Sequence, residues 1–128
     1  MLVDAGLVWD AKTAIQRARA IQEHNNFWLE EPLLPDDYDG YRKLSEAVDV
    51  RIAAGEEESN RLSLIELMDR GKIDIVQVDL TRVGGFTEAM KIASVAVKMS
   101  IQTMLMMPAP TSSTVPAHAL ALMKAGVN

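Results

Sequence analysis

Four acidic residues each close a short apolar run: Asp4 in MLVDAG, Glu30 in FWLEEP, Glu56 in RIAAGE and Asp79 in DIVQVD. They stand 26, 26 and 23 residues apart. Each interval has room for one strand, one helix and two loops, so the acids are expected at the strand ends of successive βα units. In a parallel βα array every strand C-terminus points the same way, which gathers residues distant in sequence around one point. Carboxylates held together raise one another's pKa, and a hard divalent cation relieves that repulsion. The chemistry expected of this spacing is an oxygen-ligated metal site.

The elements that must position these acids follow from the pattern of apolar residues. Strands are expected at Leu2–Asp4, Phe27–Glu30, Arg51–Ala54, Ile73–Asp79 and Ile101–Met107, runs apolar enough to be covered on both faces as parallel strands are. Helices are expected between them. Asp10 is placed to cap one whose inner face is Ala11, Ala14, Ile15, Ala18 and Ile21. Residues 39–48 carry Tyr41, Leu44 and Val48 on one side. Asn60 or Ser63 starts a helix with Leu64, Ile65 and Met68 inside, and Gly71 is expected just past its end. After Thr87, Ala89, Ile92, Ala93, Ala96 and Val97 form another inward stripe, while Leu34-Pro35-Asp36-Asp37 and Val83-Gly84-Gly85 mark loops. Phe27 and Trp28 are expected between strand and helix, and Met104, Met106 and Met107 as core filling in the last strand.

The βα unit recurs about four and a half times, whereas a closed (β/α)₈ barrel needs about 250 residues. With 128 residues, the expected fold is α/β: an open, partial barrel forming one domain over residues 1–128. Its uncovered edges and concave apolar face call for a covering partner, and a second copy of the chain is the expected one. A doubly wound sheet, with helices on both faces and no metal, is the alternative. It leaves acids at four successive strand ends without an account.

Composition narrows the partners. The net charge of −5 argues against nucleic acid or an anionic membrane surface. Cys is absent, which removes disulfides, thiolate catalysis and thiolate metal ligands. No apolar stretch approaches the roughly 18 residues of a membrane span. The first residues lack a basic segment followed by an apolar core, so no signal peptide is read and a cytoplasmic location is expected.

The segments VDAG (3–6), WLEEPLLPDDYDGYRKL (28–44), IAAGEEESNR (52–61), DIVQVDLTRVGG (74–85) and TEAMKIA (87–93) resemble, in order and spacing, the C-terminal barrel of the enolase superfamily. The likeness is to its mandelate racemase subgroup, which includes acid-sugar dehydratases and cycloisomerases. It implies that the chain spans βα units three to seven, with the first two strands, the last strand and the N-terminal capping domain absent. A truncated reading frame is then expected. The resemblance also implies that Asp4, Glu30 and Glu56 ligate Mg²⁺, or alternatively Mn²⁺. In such sites the metal binds a small carboxylate substrate and stabilises the enediolate left when the α-proton is removed. Asp79 corresponds to an Asp that orients and charges a catalytic His from the next strand. Here Ala109 and Pro110 stand where that His is expected, and Gly6 stands where the subgroup has Asn. His24 and His118 are read as surface or packing residues, and Glu31 as structural because alternation turns it away from Glu30. Arg82 is a candidate for a substrate carboxylate or for a salt bridge to loop acids. The chain alone is expected to be inactive, and the alternative function is a non-catalytic half-barrel that persists as a homodimer.

Overall fold

The computed structural model describes residues 2–24 and 26–107. Five strands alternate with four helices over these residues: β1 (Leu2–Asp4), α1 (Ala11–Gln22), β2 (Trp28–Glu30), α2 (Tyr38–Ala47), β3 (Ile52–Ala54), α3 (Arg61–Gly71), β4 (Ile75–Asp79), α4 (Phe86–Lys98) and β5 (Gln102–Met106). The strands form one sheet in the order β1-β2-β3-β4-β5, with every neighbouring pair parallel. Strand order equal to chain order is the topology of a singly wound βα array, the arrangement of a (β/α)₈ barrel. It excludes the doubly wound alternative, in which the order reverses at a switch point.

The two sheet faces are chemically distinct. Leu29, Ile52, Ala54, Val76 and Val78 face one way and join Ala14, Ala18, Tyr41, Leu44, Leu64, Leu67, Ile92 and Ala96 from the helices in the main core. Burying each Leu or Ile there contributes about 1.5–3 kcal/mol. Tyr41 is fully buried and its hydroxyl donates to the Leu33 carbonyl at 2.9 Å, which keeps its polar end satisfied. The opposite, concave face carries a small second cluster of Trp28, Ala53 and Ile75, with Met104 packed against it.

Local chemistry sets the helix starts. Asp10 accepts from the Thr13 amide at 2.7 Å, Asp37 from the Gly40 amide at 2.9 Å, and Asn60 from the amides of Leu62 and Ser63. Each satisfies an amide that has no partner within its helix. Asn60, not Ser63, is thus the cap of α3.

Four expectations are corrected. Gly71 is the last residue of α3, and Lys72 takes the left-handed turn at φ 55°. Gly71 is small for a packing reason, since a Cβ there would lie 3.2 Å from Leu67 Cδ1 and 3.3 Å from Tyr41 Cβ. Val97 is exposed, and Val95 and Met99 pack in its place because the helical repeat turns Val97 away from the face of Ala89, Ile92 and Ala96. Phe27 is exposed beneath the Arg51 guanidinium, and Trp28 lies on the concave face, because strand alternation puts it on the side of Glu30. Met104 joins that inner cluster, while Met107 is exposed.

Candidate metal and carboxylate site

A parallel sheet places all its strand ends on one edge, and three of the four acids are the last residues of strands: Asp4 of β1, Glu30 of β2 and Asp79 of β4. Asp4 and Glu30 are direct register partners on adjacent strands. Glu56 stands two residues beyond β3, after Gly55 at φ 121°. That Gly is required by a close approach, since a Cβ would meet the Gln77 carbonyl oxygen at 2.9 Å and Leu64 Cδ2 at 2.8 Å.

The four acids act on one another electrically. Burial first, and then the charges of Glu30, Glu57, Asp4 and Asp79, hold the Glu56 carboxyl above its ordinary range. Its neighbourhood is therefore anionic, drawn from every strand end that the spacing had singled out.

Three of the four carboxylates meanwhile hold hydrogen-bond donors. Asp4 Oδ1 accepts from the Gly6 amide at 2.9 Å. Asp79 Oδ1 accepts from the Thr81 amide and hydroxyl, both at 2.7 Å. Glu30 Oε2 accepts from Trp28 Nε1 at 3.0 Å and Oε1 from Gln77 Nε2 at 2.7 Å. Among the described residues no three His, Asp or Glu side chains stand in an arrangement that would hold a metal ion. The fold thus brings the acids to one edge and leaves the oxygens of Asp4, Glu30 and Asp79 on separate partners. The donor set itself is all hard oxygen, which suits Mg²⁺ or Mn²⁺ and not a thiophilic ion.

Arg82 takes the salt-bridge alternative. Its Nη1 is 2.9 Å from Glu57 Oε2 and its Nε 4.0 Å from Asp79 Oδ2. Glu31 is 5% exposed, at φ 41°. Burial, reinforced by the Glu56 charge, pushes its carboxyl up to about 7. His24 follows α1, away from the strand ends. Ala109, Pro110 and His118 lie outside the described residues.

Trp28 and Gln77 are the functional candidates that sequence reasoning missed. Both were within reach of the alternation rule, since each lies two residues before a strand-end acid and so faces the same side. Gln77 was also the one polar side chain within the apolar run IVQV.

With fold and site in place, comparison with known proteins defines the class. Residues 1–126 match the family described as enolase C-terminal domain-like, and the chain belongs to that family. It is 38% identical over 98 residues to an L-talarate/galactarate dehydratase of Salmonella typhimurium LT2, covering 77% of this chain and 25% of that protein. It is 36% identical to an L-rhamnonate dehydratase of Saccharopolyspora erythraea, covering 75% and 25%. The chain therefore spans about a quarter of the length of these curated relatives. Among solved structures, it matches an L-talarate dehydratase from Polaromonas complexed with Mg and L-glucarate at TM-score 0.79 and 33% identity, covering 82% of this chain and 29% of that one. A racemase from Streptomyces coelicolor with bound magnesium matches at TM-score 0.80 and 25% identity, covering 95% and 32%. No helix among the described residues is long and apolar enough to cross a membrane.

Proposed function

We propose that this chain is one partial enolase-type barrel domain, βα units three to seven, of a Mg²⁺-dependent enzyme that removes the proton α to the carboxylate of an acid sugar. The observation that carries this is the parallel placement of Asp4, Glu30 and Asp79 at the ends of their strands, with Glu56 just beyond β3 on the same edge. The dehydratases and racemase that it resembles support the reaction class, which covers dehydration, racemisation and cycloisomerisation.

Asp4, Glu30 and Glu56 would hold the ion. When bound, Mg²⁺ supplies positive charge for the substrate carboxylate and for the anion formed from it. Asp79, held by Thr81 and close to Arg82, would orient and charge an imidazole base. The lysines among the described residues, Lys12, Lys43, Lys72, Lys91 and Lys98, lie on helices or a helix cap and not at strand ends. None of these lysines stands with the strand-end acids, so the proton-abstracting base is assigned to a group outside the described residues.

Calorimetric titration of Mg²⁺ into the chain at neutral pH, with Glu30→Gln as control, tests the site. Saturable binding that the variant loses supports it. Equal binding by both, or none by the folded chain, overturns it.

The two sheet edges, β1 and β5, each paired on one side only among the described residues, favour a second claim about assembly. A second copy of the chain covers them. A monomeric mass at micromolar concentration contradicts it.

A further inference from the structure

Both oxygens of Glu30 are held by side chains of the concave face. Trp28 Nε1 reaches Oε2 at 3.0 Å and Gln77 Nε2 reaches Oε1 at 2.7 Å. Gln77 belongs to β4 and Glu30 to β2, so this bond spans the intervening β3. It can do so because β3 offers only Ala53 to the inner cluster between them. The carboxylate accepts and never donates when ionised, which fixes the Gln77 amide with its nitrogen toward Glu30.

The other end of that amide has no partner among the described residues. Gln77 is 0% exposed and its Oε1 is buried without a hydrogen bond. A buried acceptor without a donor is destabilising. The inner cluster offers it no donor from Ala53, Ile75 or Met104.

We propose that Gln77 and Trp28 are positioning residues that lock Glu30 as a metal ligand. This rests on the metal site proposed above. The Trp28 indole holds one oxygen of Glu30 and the Gln77 amide the other, so the carboxylate meets the ion in one orientation. Partners of this kind tune affinity by about 10- to 100-fold without touching the ion.

The test uses the full 128-residue chain with Mg²⁺ alone as ligand. Calorimetry is run on the natural chain, Glu30→Gln, Trp28→Phe and Gln77→Met, the last chosen to keep side-chain volume while removing both amide functions. Thermal melting confirms that each variant is folded. Gln77→Met is expected to weaken Mg²⁺ binding about 10- to 100-fold, and Trp28→Phe by a smaller factor. In heteronuclear spectra of the natural chain, the Gln77 side-chain amide and the Trp28 indole N–H move as Mg²⁺ is added. The indole of Trp9, which lies under Arg17 of α1, stays in place. If Glu30→Gln loses binding while Gln77→Met stays within about twofold of the natural chain, the positioning role is overturned and the metal site stands. If Glu30→Gln binds like the natural chain, the metal site itself fails.

Discussion

Gly55 offers a sharp test of how the strand ends are brought together, because two separate penalties fall on one added methyl group. Its φ of 121° lies where L side chains are strained, at a cost of about 1–3 kcal/mol. A Cβ would also sit 2.9 Å from the Gln77 carbonyl oxygen and 2.8 Å from Leu64 Cδ2. The Leu64 end can shift, but the carbonyl belongs to β4, a strand paired on both sides, and resists, so overpacking adds about 1–3 kcal/mol. Gly55→Ala is therefore expected to lose about 2–6 kcal/mol in all. At about 4 °C per kcal/mol for a domain of this size, the melting temperature falls by roughly 8–24 °C. Gly6 is the internal control: its φ is 63°, and nothing lies within 4 Å of an added Cβ. Gly6→Ala should cost only about 1–2 kcal/mol, and Gly6→Asn less, because Asn adopts this conformation readily. Melting followed by circular dichroism reads all three variants. A Gly55→Ala melt no lower than that of Gly6→Ala would refute the close approach of β3 to β4.

Other outcomes follow from single groups. Glu31 is raised from its ordinary 4.5 to about 7, so the native chain holds a proton there that the unfolded chain has released. Its stabilising contribution is complete below about pH 4.5 and is lost as pH rises through 7. In chelator-treated protein, Glu31→Gln should gain on the natural chain by up to about 3 kcal/mol between about pH 5 and pH 8. A melting difference that stays flat with pH contradicts this. Tyr41→Phe leaves the buried Leu33 carbonyl without its donor and should lose about 1–2 kcal/mol in denaturant unfolding, with no change in m-value. Asn60→Ala removes the acceptor for two first-turn amides of α3, a loss of about 0.5–2 kcal/mol by the same measurement.

Much of the scaffold was legible because parallel strands and amphipathic helices write different periods into the chain. Apolar runs ending in Asp4, Glu30 and Asp79 marked β1, β2 and β4, and Ala14, Ala18, Leu44, Leu64 and Ile92 marked inward helix faces, all of which the structure buries. What spacing carried less well was which face of a strand a residue takes and what it meets there. Trp28 looked like core and is core, but of the concave cluster, where its ring nitrogen also serves Glu30. Gln77 went unnoticed because its role depends on Glu30, 47 residues away in sequence. Gly71 was read as a turn glycine, whereas its smallness answers to Tyr41 and Leu67 packing against it. Contacts between distant elements are set by the fold, and no local pattern encodes them.

The central claim is that Asp4, Glu30 and Glu56 serve one divalent cation. Paramagnetic broadening by substoichiometric Mn²⁺, followed residue by residue in amide spectra and reversed by excess Mg²⁺, tests it most directly. The claim predicts that amides around Asp4, Glu30 and Glu56 broaden together and recover together. Broadening confined to one of these strand ends, or spread over helix acids such as Glu66 and Asp69, would contradict it.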